Sequence, residues 1–362
     1  FSKTNFMRYL RQIQLFGEEN QRKLSESKVL IIGIGGLGCP VLEILASVGI
    51  GRIGIVDSDK VDFHNLHRQF LYDENSVGQP KVEVAKNRIK NRNSEIIIDT
   101  YYQEVNQKNI FQLIDNYDII VDCTDNFNTR YLVNDACFIR QKPLVYGAIY
   151  HYEGQISVFN VSKNGKITNY RDLFPNPPRR DEVPNCNEAG VLPTISAIIG
   201  NFQANEVIKL ITKQDVLVHR LLIFNTKNYQ SMIVDYDDNA NKLYPKNQQE
   251  VENYNYQIFC NIDLDGIHSW DELQQFLEQE NSVLLDVRNI DETPKVLINN
   301  ILEIPLSQIE NSLERLSSFD NIAVICASGI RSKKACEIIN NRISCKNIKN
   351  VIGGLNKYMD KI

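Results

Sequence analysis

Val29-Leu-Ile-Ile-Gly-Ile-Gly-Gly-Leu-Gly38 decides the fold. Four apolar residues run straight into Gly33, Gly35 and Gly38, and an amphipathic pattern follows from Cys39 to about Val48. Strand, glycine turn and helix form the nucleotide-binding opening of a doubly wound α/β domain. The first glycine permits the sharp turn, the second lets a phosphate approach the backbone, and the third lets helix and strand pack closely. The helix N-terminus offers unpaired N–H groups and a positive dipole end to an anion. A second apolar run, Ile53-Gly-Ile-Val-Asp57, ends in a carboxylate where a ribose hydroxyl would need one. A glycine turn alone is also compatible with a tight βα connection that binds nothing. The flanking strand, the helix and Asp57 favour a nucleotide, without specifying which one.

The remaining composition narrows the class. A chain of 362 residues has room for two or three domains. With 43% hydrophobic and 23% charged residues it reads as an ordinary globular protein. A net charge of −5 gives no basic footprint for nucleic acid. No apolar run reaches bilayer length and no signal-peptide pattern opens the chain, so no membrane partner is expected. Eight cysteines without dense spacing suit a reducing compartment, and a cytoplasmic location is expected.

Outward from the glycine turn, Asn5 to Leu15 forms a helical pattern containing Arg8-Tyr-Leu-Arg-Gln12. Beyond Asp57 and Asp59 lies Phe63-His-Asn-Leu-His-Arg-Gln-Phe70, polar, aromatic and too irregular for simple core. Gly78-Gln-Pro-Lys81 opens a helix reaching about Asn91. Tyr117-Asp-Ile-Ile-Val-Asp122 reads as a buried parallel strand with Cys123-Thr-Asp-Asn126 at its carboxyl end, where ligands of such sheets lie. Asp125 is placed there for chemistry, although an Asp capping the next helix is equally compatible. Gly154-Gln-Ile-Ser-Val-Phe-Asn begins a portion of antiparallel character. The proline-rich stretch from Tyr170 to Asn187 reads as a lid or binding loop. It carries Cys186 just ahead of an apolar helix, Leu192 to Ile211, a position that can lower a thiol pKa, although an inert small residue is the common alternative for a cysteine. Residues 236–258 are polar and weakly patterned and read as a linker. A second α/β unit follows, giving three parts: 1–235, the linker 236–258, and 259–362.

In the second unit a buried strand, Ile322-Ala-Val-Ile325, enters Cys326-Ala-Ser-Gly-Ile-Arg-Ser332. A loop of this length can curl around the sulfur with its N–H groups pointing inward, and Gly329 supplies the freedom to curl. Arg331 and the following helix dipole add positive charge, which favours a thiolate or an anion bound beside it. Phosphatases and sulfurtransferases both use such a cradle. Four residues separate Cys326 from Arg331, which matches the shorter, sulfur-sized loop.

These motifs together carry a resemblance. Arg8-Tyr-Leu-Arg-Gln, Gly33-Ile-Gly-Gly-Leu-Gly-Cys, Asp57-Ser-Asp, Asn65-Leu-His-Arg-Gln, Gly78-Gln-Pro-Lys, Asp122-Cys-Thr-Asp-Asn and Cys186-Asn-Glu-Ala-Gly-Val stand in order. Over residues 5–235 the chain resembles the MoeB/ThiF/HesA family, bacterial relatives of ubiquitin-activating enzymes. Leu285-Asp-Val-Arg, Ile304-Pro-Leu, the Cys326 loop and Gly353-Gly-Leu make residues 259–362 similar to a rhodanese domain. The two-part layout is similar to that of MoeZ-type proteins. The resemblance implies a Rossmann-like domain with an antiparallel extension, followed by a small α/β rhodanese domain.

The resemblance also implies an adenylyltransferase joined to a sulfurtransferase. ATP would lie over Gly33, Gly35, Gly36 and Gly38, with Asp57 on the ribose and Asn65, Arg68 and Lys81 on the phosphates. Asp59, Gln69 and Asn126 would complete the pocket, and Asp125 would hold Mg2+. Arg11 is similar to an arginine that reaches a neighbouring subunit's site, which implies a homodimer. The C-terminal glycine of a small ubiquitin-like carrier ending in Gly-Gly would be adenylated. A persulfide on Cys326, with Arg331 beside it, would then deliver sulfur directly or through Cys186. The product, a thiocarboxylate, would serve molybdopterin synthesis, thiamine synthesis or tRNA thiolation. Its upstream donor would be a cysteine desulfurase or thiosulfate. One departure stands out. The family's zinc-binding cysteine pairs fall near Asn169 to Asp172 and near Pro245 to Glu250, where this chain has no cysteine, so no structural zinc is expected.

Three other readings compete. An NAD-linked oxidoreductase would leave Arg11, Arg68, Lys81 and Asp125 without a shared purpose. A non-catalytic module would not need the Cys326–Arg331 pairing. An activating enzyme forming a thioester at Cys186 would reduce the rhodanese unit to docking.

Overall fold

The computed structural model describes residues 3–178, 190–238, 244–260, 266–296, 298, 300–343 and 347–358. They fall into two compact units, Phe1–Asn261 and Ile262–Ile362.

The first unit opens with helix α1, Lys3–Glu26, whose backbone is non-helical at Gly17. It is longer than the expected Asn5–Leu15 because buried Leu24 and Gln21 hold its second half. Strand β1 (Lys28–Ile32), helix α2 (Gly38–Val48) and strand β2 (Arg52–Val56) follow as the sequence predicts. Helix α3 is Lys81–Arg92, β3 Ile97–Tyr101, α4 Ile110–Asp115, β4 Ile119–Asp122 and α5 Phe127–Ile139. Strands β5 (Leu144–Tyr150) and β6 (Glu153–Phe159) form a hairpin, followed by a small ribbon of β7 (Ser162–Lys163) and β8 (Lys166–Ile167). Then come α6 (Tyr170–Leu173), α7 (Pro193–Ile211), β9 (Arg220–Asn225) and β10 (Gln230–Asp235).

Eight strands form one sheet in the order β10-β9-β6-β5-β4-β1-β2-β3. From β3 to β5 the pairings are parallel, and from β5 to β10 they are antiparallel. Val29 to Ile32 of β1 are all buried, as a central parallel strand covered on both faces must be. The chain leaves β1 toward β2 on one side, and β4 lies on the other. A crevice therefore opens at their carboxyl ends, the usual ligand position in open α/β sheets.

Two expectations are corrected. The stretch from Tyr170 does not begin as a loop: Tyr170, Arg171 and Asp172 are buried in α6. From 179 onward that stretch, including Cys186, lies outside the described residues. The stretch 236–258, expected as a linker, carries helices α8 (Gln248–Asn253) and α9 (Tyr256–Phe259). Val251 and Tyr256 are buried, so the first unit runs on to Asn261.

In the second unit, Ser269 caps α10 (Trp270–Leu277) with its side chain. Strands β11 (Ser282–Asp286), β12 (Ile301–Glu303), β13 (Asn321–Ile325) and β14 (Asn347–Asn350) pair in parallel in the order β12-β11-β13-β14. Helix α11 spans Leu313–Leu316 and α12 spans Ile330–Asn340. Apolar clusters lie on both faces of this sheet, one around Leu285 and Val324 and one around Leu284 and Ala323.

Candidate active sites

The glycine turn of the first unit is built as its spacing requires. Gly33 has φ +90°, and a Cβ there would meet the Cys123 carbonyl oxygen at 2.8 Å. A Cβ at Gly38 would collide with the Gly33 carbonyl oxygen, so strand and helix meet only because both residues are glycine. Around the turn stand the residues singled out from sequence. Asp57 at the end of β2 accepts from Ile34 N–H at 2.7 Å and from Asp59 N–H at 2.8 Å. Burial pushes its carboxyl above the usual range, against the pull of Lys81. The buried Lys81 donates to Asp59 at 2.7 Å. Arg68 donates from Nη2 to Asn65 Oδ1 at 2.9 Å, and its Cδ lies 3.7 Å from where a Gly36 Cβ would stand. Gln69 is buried beside Gly35, and its Oε1 has no partner among the described residues.

The loop after β4 closes the other side. Asn126, not Asp125, caps α5, accepting from Thr129 N–H at 2.9 Å. The Asp125 side chain is exposed and makes no hydrogen bond with a described residue. Its loop is clamped from behind: Asp122 Oδ1 accepts from Thr124 N–H and Oγ1, and Asp122 Oδ2 accepts from Arg130 Nε at 3.1 Å. Arg130 Nη2 donates to the Thr124 carbonyl at 2.6 Å, and Gln203 on α7 donates to the Asp122 carbonyl at 2.7 Å. Arg130, Gln203, Tyr72, whose hydroxyl donates to the Ile34 carbonyl, and Ser196, beside Gly36, are site residues the sequence reading missed. Only Arg130 left a signal there, standing one helical turn after Asn126. Arg11 is exposed on α1, and no hydrogen bond or ion pair joins it to a described residue.

The features fit a nucleotide: glycines that admit a phosphate, a buried lysine, an orphaned buried amide oxygen beside the turn, and a carboxylate at the crevice mouth. Among the described residues no group of three or more His, Cys, Asp or Glu side chains could hold a metal. A single free carboxylate is nevertheless compatible with Mg2+, which takes one or two carboxylates and completes its shell with substrate phosphates and water.

In the second unit, Cys326 follows β13 and its side chain is buried. Gly329 N–H donates to its Sγ at 3.1 Å, and Ser332 Oγ donates at 3.4 Å. Gly329 has φ +88° and caps α12, the freedom the loop needs to curl. Gly354 lies against the Cys326 carbonyl so closely that a Cβ would clash, and Leu355 N–H donates to that carbonyl at 2.9 Å. The Gly353-Gly354 turn therefore fixes the cradle from outside. Arg331 donates from both terminal nitrogens to Glu292, at 2.6 and 2.8 Å. Sequence reading identified neither Glu292 nor Ser332.

Comparison with known proteins matches the ThiF family over residues 9–246 and a rhodanese-like domain over residues 269–361. The chain belongs to the ThiF family. Among the relatives of this ThiF-family chain are "Adenylyltransferase and sulfurtransferase" MOCS3 proteins. MOCS3 of Aedes aegypti is 36% identical, covering 98% of this chain and 87% of that protein. MOCS3-1 of Drosophila pseudoobscura pseudoobscura is 34% identical over 98% and 83%. MOCS3 of Caenorhabditis briggsae is 32% identical over 100% and 96%. Among solved structures, E. coli MccB with ATP superposes at a TM-score of 0.56 with 23% identity, covering 65% of this chain and 73% of that one. PaaA superposes at 0.57 with 23% identity over 66% and 76%. Both likenesses concern the ThiF-type fold.

At Asn169 to Asp172, where the resemblance led to the expectation of a cysteine pair, other side chains stand. Asn169 accepts from Arg171 N–H and Asp172 accepts from Asn169 N–H, a reciprocal cap on α6. Arg171 donates to both oxygens of the buried Asp135 at 2.8 and 2.7 Å, and Tyr256 of α9 donates to the same carboxylate at 2.9 Å.

Proposed function

We propose that this chain adenylates the C-terminal glycine of a small ubiquitin-like carrier in its first unit and supplies sulfur from Cys326 in its second. The supporting observation is the presence, in one ThiF-family chain, of a glycine-lined anion site and a hydrogen-bonded cysteine cradle. ATP is the first substrate. Its ribose meets Asp57, and its phosphates meet the glycine-turn N–H groups, Arg68 and Lys81, with Asn65 orienting Arg68. Asp125 would hold Mg2+, which would supply charge to offset that on the phosphate oxygens. The glycine carboxylate attacks the α-phosphorus, the bond to the bridging oxygen breaks, and pyrophosphate leaves. Positive charge fixed around the phosphates stabilises that displacement. The Arg130–Asp122 clamp keeps the Asp125 loop in place during it. Arg11 acts from a second copy, in a homodimer.

Cys326 carries the transferable sulfur as a persulfide, which Gly329 N–H and Ser332 hold in its anionic form. Its terminal sulfur attacks the acyl carbon, and AMP leaves with the electron pair of the acyl–oxygen bond. A second thiolate, for which Cys186 is the candidate, attacks the Cys326 sulfur; a disulfide forms, the bond to the outer sulfur breaks, the thiocarboxylate leaves with that electron pair, and an external thiol reductant then returns both cysteines to thiols. Molybdopterin synthesis is one pathway that consumes such a product. Thiamine synthesis and tRNA thiolation use the same product chemistry. The test is mass spectrometry of carriers ending in Gly-Gly, incubated with the chain, ATP, Mg2+ and a sulfur donor. Replacement of one terminal oxygen by sulfur is the expected result. Unchanged carriers without pyrophosphate exchange would reject the reading.

A further inference from the structure

Arg331 is not the free cation that the Cys326 loop suggests from sequence. Both of its terminal nitrogens are occupied by the two oxygens of Glu292. Glu292 comes from the turn after β11, and that turn is itself fixed. Asp286 and Arg288 form a buried ion pair at 2.8 Å, and Arg288 also donates to the Pro294 carbonyl at 2.9 Å. Asn289 N–H donates to Glu292 Oε1 at 2.9 Å and sets the carboxylate's direction. Arg331, first, and then the Asn289 N–H hold this carboxyl down at about 2, so it remains ionised through any working pH.

Arg331 of this pair lines a cavity of about 470 Å3 together with Asn289, Glu310 and Lys334. Two positive groups, Arg331 and Lys334, are thus set against two negative ones, Glu292 and Glu310. A small sulfur oxyanion such as thiosulfate brings two negative charges and needs an uncompensated cation for its sulfonate. A persulfide brings at most one charge at the reacting end and has no sulfonate to place.

We propose that Glu292 is a specificity-determining residue that neutralises Arg331 and so disfavours dianionic sulfur donors relative to persulfide donors. The proposal rests on the reading of Cys326 as the sulfur carrier. With thiosulfate, the Cys326 thiolate attacks the outer sulfur, the S–S bond breaks, and its electron pair leaves on sulfite. With cyanide as acceptor, the cyanide carbon attacks the terminal sulfur, thiocyanate leaves, and the Cys326 thiolate returns. Charge and electrons balance in both steps, and Glu292 enters neither. It acts only on the field that the incoming anion meets.

The experiment compares the full chain with Glu292→Gln in thiosulfate-to-cyanide transfer. Removing one negative charge several ångströms from a dianion in a solvent-screened site should lower the thiosulfate KM roughly tenfold. The kcat should stay within about threefold, because the attacking and leaving sulfurs are unaffected. The inhibition constant of sulfate, a dianion that cannot react, should fall in parallel, and high salt should shrink both differences. Glu292→Asp, which keeps the charge, should retain the wild-type preference. Uptake of sulfur from a small alkyl hydropersulfide should not improve in Glu292→Gln. An unchanged thiosulfate KM and sulfate inhibition constant, with Cys326 persulfide formed in both proteins, would overturn the proposal and leave the sulfur-carrier reading standing. No persulfide on Cys326 from either donor in either protein would overturn both.

Discussion

Arg171→Leu probes the join between the first unit's core and its late helices. The guanidinium and the Asp135 carboxylate are almost fully buried, at 2% and 1% side-chain exposure. Besides Arg171, the carboxylate accepts from Tyr256 and Asn134 at 2.9 and 3.1 Å. The guanidinium also lies over the rings of Phe259, Tyr131 and Tyr254, at 4.5, 4.9 and 5.4 Å. Removing the cation leaves a buried charge with only neutral donors, a change that costs about 3–5 kcal/mol. Hydrogen exchange of α5 amides, read by mass spectrometry on the peptide spanning 127–139, should then speed up roughly 10²- to 4 × 10³-fold. Adding Asp135→Asn removes the stranded charge and should restore about half of the loss.

The pH dependence has a definite sign. Burial already pushes the Asp135 carboxyl up, and Arg171 is the main group holding it down. Without Arg171 the folded-state pKa rises further above the unfolded value. The folded variant then binds a proton the unfolded chain lacks, so its stability falls as pH rises through the folded pKa. The deficit of Arg171→Leu against wild type should therefore be larger at neutral pH than in mild acid. Equal exchange rates for the single and double variants, or a deficit that does not change with pH, would refute the reasoning.

Gly33→Ala places a Cβ 2.8 Å from the Cys123 carbonyl at φ +90°, and should raise the KM for ATP in pyrophosphate exchange by at least about tenfold. Asp125→Ala should abolish carrier-dependent pyrophosphate exchange while leaving circular dichroism unchanged, because the side chain has no described hydrogen bond to lose. Cys326→Ala should keep exchange at the wild-type rate and stop sulfur transfer, as measured by thiocarboxylate mass. Retained transfer would remove Cys326 from the mechanism.

The parts of the fold written in local pattern were legible. β1, the glycine turn and α2 could be read because burial on both faces leaves an unbroken apolar run and the turn admits only glycine. The Cys326 cradle was legible for the same reason: its geometry is carried by a few consecutive residues. Site residues whose role depends on a distant partner were not legible. Nothing near Glu292 announces that it will meet Arg331, 39 positions later. Gln203 meets the Asp122 carbonyl across 81 positions.

The misread stretch 236–258 makes the same point about energy. Its composition is polar, and a local window finds too little apolar surface to predict order. What orders its second half is a few contacts of high value: Val251 buried without exposure, Tyr256 seated with its hydroxyl on Asp135, and Tyr254 against the Arg171 guanidinium. The Tyr256–Asp135 hydrogen bond spans 121 positions, and its acceptor is a buried carboxylate, a type of bond worth more than a neutral one. Aromatic residues in a polar segment therefore mark anchoring positions when a buried ion pair elsewhere lacks donors. Asp135 is such a site, because Arg171 alone cannot satisfy every lone pair of a carboxylate hidden from water. Tyr256, with Asn134, supplies the donors that the ion pair lacks, and so the first unit extends to Asn261 rather than ending at its last strand.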